Sequence, residues 1–235
     1  MPHKWSSVPK KVWTKPWTIE FNRERLAEFA QDPAFHCLMR LARHVNALRF
    51  AQFALVDANE REEGPVSFRA RPAAFFYMGS VLYEALQMVP ELRSHFERNA
   101  HWTRSFGRFG RDEDVRVLIA KGTDLQRLRN HVGSHVLPMV PERSLPTLDL
   151  PDYVLVRGVG KQVGNLYYEL ADVIALHYLF DAPAAWNTLL HEFEVRGAAV
   201  TKVLVDFLEA ADILIPRVLE QWKAKLAHRS TATNA

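Results

Sequence analysis

The sequence predicts an all-α protein, an up-and-down helical bundle with a proline-rich loop and a small β-hairpin near residues 147–157. Three observations lead to this fold class. Apolar residues recur at three- and four-residue spacing over several long segments, as on one face of an α-helix. Proline and glycine separate these segments. Only one short stretch, 153–156, has the composition of a strand, so helix packing against helix must supply the core.

The chain begins with a segment that does not favour a helix. Residues 1–17 contain three tryptophans, four lysines, three prolines and no acidic residue, which predicts an extended arm packed on another surface. Thr18 is a suitable N-cap for a first helix over 18–30. The segment 33–59 predicts one long amphipathic helix. Its apolar face is formed by Phe35, Leu38, Leu41, Ala42, Val45, Leu48, Ala51, Phe53 and Leu55.

Three further segments lead to the middle of the chain. A glycine–proline step at 64–65 breaks the helical pattern, and a third helix is predicted over 67–88. Residues 91–111 are less regular. The acidic residues at 112–114 favour the start of a short helix, because negative charge is stabilised at a helix N-terminus. Gly122 is predicted to end that helix.

A helix opening at residue 123 or 124 carries the most informative motif of the chain. The segment 138–151 contains four prolines and is predicted to be a loop. Residues 153–156 favour a strand, which together with Leu148 and Leu150 would form the small hairpin.

The C-terminal part returns to helical periodicity. Helices are predicted over 163–180 and over 183–227, the second bent near a glycine or proline. Residues 228–235 are predicted to form a disordered tail. The expected organisation is therefore an arm over 1–17, a single helical domain over 18–227, and this tail.

Composition favours a folded globular protein. Of the 235 residues, 48% are hydrophobic and 24% are charged, and no apolar run approaches the length of a membrane span. The first residues lack the apolar core of a secretory signal, and the only cysteine, Cys37, has apolar neighbours typical of a buried, unreactive thiol. We expect a cytoplasmic protein with no membrane contact, no cofactor and no bound metal.

Charge is unevenly distributed along the chain. Residues 1–161 carry 24 basic and 18 acidic side chains, whereas residues 162–235 carry 6 and 9. The excess of basic residues in the first part is compatible with an anionic partner.

The motif consists of Arg129, Asn130, His131 and His135. Arginine offers a permanent charge and a planar set of donors suited to phosphate, and histidine exchanges a proton near neutral pH. On a regular helix Arg129 and His135 would lie about 120° apart around the axis and about 9 Å apart along it. The two side chains can therefore cooperate only if Gly133 distorts the helix or if a second subunit completes the site.

This stretch resembles the signature of the HEPN superfamily, in which an arginine is followed, after four to six residues, by a histidine. A polar residue often comes directly after the arginine; here five residues intervene and the polar residue is Asn130. The resemblance extends to the helical layout over 33–210, with 138–160 as a segment that fits it poorly. In that family, motif helices from two protomers commonly form one cleft, so the resemblance implies a homodimer.

The resemblance also implies a function, namely RNA binding or metal-independent RNA cleavage of toxin or defence type, with an antitoxin-like partner protein. Arg129 would hold the scissile phosphate, and His135 would act as general base or acid. Asn130 would orient His135 or the phosphate, and His131 is a further candidate. RNA is the expected substrate because this chemistry needs the 2′-hydroxyl.

A second basic segment, 95–111, interleaves arginine with aromatic residues, as a single-stranded nucleic acid would require. The predicted nucleic-acid-binding residues are Arg98, Trp102, Arg104, Arg108 and Arg111. The alternative, which the commonness of aromatic anchors in loops favours, is that the aromatic rings cover the core while the arginines stay in solvent.

Two other functions remain open from the sequence. One is a noncatalytic helical protein that acts through oligomerisation, with the tryptophan-rich arm and the last helix in the assembly. The other is a helical metalloenzyme, although none of its candidate ligands shows a tight spacing. Three sets of side chains offer ligands: His177 with Glu169 and Asp172, His191 with Glu192 and Glu194, and His44 with His135 and His191. His177 lies on an apolar run, which favours a core histidine over a ligand.

Overall fold

Helices make up nearly all of the described chain, which confirms the predicted all-α class. The computed structural model describes residues 18–21, 23–29, 31–60, 65–109, 111–133, 139–148, 157–158, 166–167, 169–181 and 186–232. The α-helices are α1 (Arg23–Glu28), α2 (Pro33–Glu60), α3 (Pro65–Gln87), α4 (Val89–Phe96), α5 (Trp102–Phe106), α6 (Asp112–Ile119), α7 (Asp124–Arg127), α8 (Met139–Ser144), α9 (Glu169–Phe180) and α10 (Trp186–Ala232). Short 3₁₀ helices cover Gly107–Phe109 and Leu145–Thr147, and a π-helix covers Leu128–Gly133.

Local sequence patterns predict α2 correctly but not the start of α1. Helix α2 occupies almost the predicted segment, and the side chain of Asp32 caps it by accepting a hydrogen bond from the backbone N–H of Ala34 at 2.8 Å. The prediction that Thr18 caps the first helix is wrong. Its hydroxyl donates to the Glu20 carboxylate at 3.2 Å, and α1 begins at Arg23. The arm over 1–17 lies outside the described residues.

Helices α2 and α3 form an antiparallel pair, and contacts at increasing distance from their connection define its register. Near the connection, the guanidinium of Arg71 donates to the carbonyl of Ala58 at 3.2 Å. Further along, the rings of Phe50 and Tyr77 meet edge to face with centroids 6.4 Å apart. This register carries His44 towards the later part of α3.

The core lies between this pair, α10 and the shorter helices. Its largest completely buried side chains come from several elements: Leu41, Leu48, Phe75, Leu82, Leu92, Phe106, Leu128, Leu179 and Phe207. Phe106 of α5 meets Phe207 of α10 edge to face at 5.6 Å, which ties the middle of the chain to the last helix.

Two proline-containing or irregular segments are more ordered than the sequence suggests. Residues 91–111 include most of α4, all of α5 and a 3₁₀ helix. The prediction of a loop over 138–151 is wrong for residues 139–147, which form α8 and the following 3₁₀ helix. Proline is tolerated in the first turn of a helix because its missing N–H has no partner there.

The helix that carries the motif is not regular. Of the two predicted helix starts, 123 and 124, the structure has Thr123 as the N-cap of α7, and its hydroxyl accepts a hydrogen bond from the backbone N–H of Gln126 at 3.3 Å. After only four α-helical residues the backbone changes to π-helix over Leu128–Gly133. Helix α3 permits this wider turn to approach closely at Gly79, where a Cβ would lie 3.1 Å from the Cβ of Leu128. The helix is therefore distorted, as one of the two alternatives requires, but the distortion begins five residues before Gly133.

The β-structure of the described residues is limited to one antiparallel pair. Strand β1 (Arg157–Gly158) pairs with β2 (Leu166–Tyr167), with Arg157 opposite Tyr167. The predicted strand at 153–156 lies outside the described residues. Leu148, its predicted partner, is buried at the end of a 3₁₀ helix instead.

The last two helices also differ from prediction at their ends. Helix α9 begins at Glu169, six residues later than predicted. Helix α10 is 47 residues long and continues to Ala232, so residues 228–232 are helical rather than a disordered tail. Within the described ranges, no helix combines the length and the apolar character that a bilayer crossing needs.

Arg196 of α10 holds the end of α9 and the start of α7 together. Its Nε donates to Asp124 at 2.9 Å, its Nη2 forms a second bond to the same carboxylate, and its Nη1 donates to the carbonyl of Phe180. The guanidinium carbon also lies 4.9 Å from the centre of the Phe180 ring. Arg127 adds a bond to the carbonyl of Leu179 at 3.0 Å. Two arginines thus satisfy carbonyls at the C-terminus of α9.

We expect the substitution Arg196→Ala to lower the free energy of unfolding by about 2 kcal/mol, because it removes charged hydrogen bonds from a largely buried group. The matched control is Arg217→Ala. Arg217 also pairs with a carboxylate, that of Glu220 at 3.0 Å, but both side chains are about half exposed, and such pairs contribute less than about 1 kcal/mol. Urea unfolding monitored by circular dichroism measures both variants; equal losses would contradict the role of Arg196.

Candidate functional site

Arg129 lies at the surface in the π-helical turn and is held there by α3. Its Nε donates to Oε1 of Glu84 at 2.6 Å. The Arg129 side chain is 35% exposed and that of Glu84 is 40% exposed, so solvent reaches both. Among the described residues, no hydrogen bond involves the two terminal nitrogens of Arg129. The bond to Glu84 therefore orients the guanidinium, and solvent reaches the side chain.

His44 of α2 lies within electrostatic range of Glu84, the carboxylate that accepts from Arg129. Burial lowers the pKa of His44 below its ordinary value; the carboxylate of Glu84 opposes this shift, and the nearby charges of Arg40 and Arg43 add to it. The imidazole is therefore neutral at neutral pH. A neutral imidazole has one nitrogen able to accept a proton.

An exposed aromatic pair continues the same surface. Phe50 is 68% exposed and Tyr77 is 43% exposed, although their rings contact each other. Tyr77 precedes Glu84 by seven residues, which places both on one face of α3 about 10 Å apart. We call the surface formed by His44, Glu84, Arg129, Phe50 and Tyr77 the seam surface.

The other residues of the motif are placed only in part. Asn130 is half-buried in the π-helix beside Arg129. His131 belongs to the same π-helical segment, but its side chain is outside the described residues, as is the whole of His135. The predicted cooperation of Arg129 with His135 stays a prediction.

Glu84 orients Arg129, and His44 lies within electrostatic range of Glu84; the motif contains no signal for either residue. Glu84 is 45 residues before Arg129 in the chain. From the sequence, His44 is a candidate only for a metal site, with His135 and His191. Their proximity follows from the register of α2 on α3, which one sequence does not specify.

The basic segment 95–111 does not form the predicted stacking surface. Trp102 is buried, with 6% exposure, and its ring stacks on Phe106 at 5.3 Å. The ring of Trp102 therefore cannot stack on a base, and this expectation is corrected: the aromatic residues cover the core. Arg98 and Arg104 remain exposed, as the alternative interpretation predicts.

Two of the predicted arginines line a groove with acidic residues. Arg108 and Arg111 contribute to a groove of about 530 Å³ together with Asp114 and Asp206. Arg108 pairs with Asp206, and Arg111 lies 3.5 Å from Asp114. Partial burial would raise the pKa of Asp206, but hydrogen bonds and charge from Lys202 and Arg108 outweigh it and hold the pKa below its ordinary value. Each arginine of the groove is therefore close to a carboxylate that would repel phosphate.

Potential metal ligands converge at one place among the described side chains, the group formed by Cys37, Glu91 and His95. The proposed set of His191 with Glu192 and Glu194, all described, does not converge. His177 is buried in α9 with 7% exposure, as its apolar neighbours predicted, and burial lowers its pKa against the opposing charge of Asp181.

Comparison with protein-family models, with curated proteins and with solved structures gives no match for this chain.

Proposed function

We propose that the seam surface binds single-stranded RNA and that the protein is a HEPN-like, metal-independent endoribonuclease. One observation carries the proposal most strongly. The Nε of a surface arginine, Arg129, is bonded to Glu84, and the arginine side chain is 35% exposed. His44, whose pKa is lowered by burial, lies within electrostatic range of the same carboxylate.

Phosphate binding is the first part of the proposal. The two terminal nitrogens of a guanidinium match two oxygens of a phosphate, and charge strengthens both hydrogen bonds. Glu84 neutralises part of the charge of Arg129, but it also removes the side-chain entropy that binding would otherwise cost. The surrounding charges are Arg40, Arg43 and Arg129 against Glu84 and Glu91, which leaves one net positive charge.

Base stacking is the second part. Phe50 and Tyr77 expose aromatic rings about two helical turns from Glu84, on the same helix pair. Stacking on such rings tolerates every base and contributes roughly 1–3 kcal/mol per base. We therefore expect affinity for single strands with little dependence on base sequence.

Cleavage is the third part, and it follows from the resemblance together with the site. A general base removes the proton of the ribose 2′-hydroxyl, and the 2′-oxygen attacks the phosphorus. The bond from phosphorus to the 5′-oxygen then breaks, and a general acid supplies a proton to that oxygen. The products are a 2′,3′-cyclic phosphate and a 5′-hydroxyl, with no change of oxidation state. His44 is suited to accept the first proton, His135 is the proposed acid, and Arg129 offsets the charge that develops on phosphate.

The substitution Arg129→Gln tests this function directly. We expect RNA cleavage to fall at least about 100-fold, because a donor to the transition state is lost. The measurement is gel separation of a labelled single-stranded RNA incubated with protein and a metal chelator. DNA of the same sequence should bind without being cut.

The matched control is Arg217→Gln, which changes the same residue type in another surface pair with a glutamate. Cleavage by this variant should equal that of the unchanged protein. Equal rates of RNA cleavage by Arg129→Gln and Arg217→Gln would contradict the proposal. So would an unchanged protein that neither binds nor cleaves RNA.

A noncatalytic oligomeric protein is the second candidate function. Phe50 and Phe53 are each 68% exposed on α2, and aromatic residues are enriched where proteins contact each other. This function predicts self-association that Arg129→Gln leaves unchanged, which light scattering would show in the same samples.

A further inference from the structure

Three potential metal ligands of different chemistry meet where α2 packs against α4. Cys37 comes from α2, and Glu91 and His95 come from α4. The thiol sulfur, a carboxylate oxygen and a ring nitrogen all lie within 4.8 Å of one another. Glu91 and His95 are four residues apart and so occupy one face of their helix.

We propose that Cys37, Glu91 and His95 bind a divalent cation of the zinc type. Thiolate, imidazole and carboxylate are the three ligand classes that zinc takes in proteins. Tetrahedral coordination separates such ligand atoms by about 3.5 Å. The three groups would therefore close in by about 1 Å. Glu91 and His95 can adjust because both reach solvent, whereas Cys37 is buried with 1% exposure and supplies a fixed point.

The charges already present show what the cation would replace. Burial and the charge of Glu91 raise the pKa of Cys37 to about 12, against the opposing charge of Arg40, so the thiol holds its proton. Nη1 of Arg40 lies 2.9 Å from each oxygen of Glu91. Binding exchanges the thiol proton for the metal, which gives a metal thiolate and one released proton. Arg40 is 57% exposed and can turn into solvent as Glu91 moves to the metal.

Coordination would join α2 to α4 with an open fourth position. Three protein ligands would leave one position for water, and His95 is exposed to solvent. Its three ligands are not residues of the seam surface, and the proposal goes beyond the proposed ribonuclease function. The metal site can be tested whether or not the protein cleaves RNA.

Cobalt is the probe that tests the site, because the chain has one cysteine. A near-ultraviolet thiolate-to-cobalt band can come only from Cys37. We expect the full-length protein to bind one Co²⁺ with this band, and excess Zn²⁺ to abolish it, since zinc binds such ligands more tightly.

Three substitutions and a control define the ligands. Cys37→Ser should remove the band. Glu91→Gln and His95→Ala should each weaken cobalt binding at least about tenfold, as changes even to supporting residues of metal sites do. His101→Ala is the control, since it changes a histidine outside the cluster and should leave binding unchanged. Because His95 is exposed, its substitution stays informative even if Cys37→Ser fails to fold.

Two outcomes would overturn the proposal. One is cobalt binding without a thiolate band, which would mean that surface carboxylates and histidines alone take the metal. The other is a band that His95→Ala and His101→Ala affect equally. In either case the cluster is only a thiol–carboxylate hydrogen bond beside an exposed histidine.

Discussion

Replacing Gly79 with alanine is expected to destabilise the protein by about 2 kcal/mol relative to the same replacement at Gly197. A Cβ at Gly79 would overlap the Cδ1 of Leu128 and lie 3.1 Å from both its Cβ and its Cγ. Leu128 is completely buried and belongs to the π-helical turn, so it cannot move without that backbone. At Gly197 the nearest atom is the Cε2 of Phe75 at 3.6 Å, an ordinary contact.

Both alanines gain up to about 1 kcal/mol of helix propensity, so their difference isolates the contact with Leu128. Urea unfolding gives the two free energies. The displaced turn should also separate Arg129 from Glu84, and RNA cleavage by the folded Gly79→Ala protein should therefore fall. If the two variants prove equally stable, the π-helical turn is not packed against α3 as described.

The long helices could be predicted because their cause is local. The apolar face of 33–59 specifies both ends of α2 to within one residue. The cap of α7 is equally local, because the Thr123 side chain bonds to the backbone of Gln126, three residues later. The loop prediction from proline content was wrong for residues 139–147, because it ignored where each proline lies in a helix. Pro141 lies in the first turn of α8, where proline costs little, so the number of prolines alone gave a loop.

The sites could be predicted only as far as one helix extends. Arg129 was identified from its neighbours, but Glu84 orients it from another helix. The meeting of Cys37 with Glu91 has the same origin, since it depends on how α2 and α4 pack. Trp102 was predicted to bind nucleic acid but is buried. An aromatic residue among arginines has the same local sequence pattern in a core as on a binding surface.

Mixing two inactive variants is expected to restore RNA cleavage if two protomers share each cleft. Arg129→Gln lacks the phosphate ligand, and His135→Ala lacks the proposed acid, so each protein alone should be nearly inactive. Suppose that each cleft takes Arg129 from one protomer and His135 from the other. Random exchange then makes half of the dimers mixed, and one of the two clefts in each mixed dimer is intact.

Activity in an equal mixture should therefore reach about one quarter of that of the unchanged protein, once subunits have exchanged. The control mixes Arg129→Gln with the double variant that carries both substitutions, where no cleft can be intact. Recovery of cleavage in the first mixture but not in the control mixture establishes a shared cleft. Absence of recovery from subunits shown to have exchanged means that one chain supplies both groups. In that case the π-helical turn over Leu128–Gly133, rather than a second copy, must bring the imidazole to the arginine, and its disruption by Gly79→Ala should abolish cleavage outright.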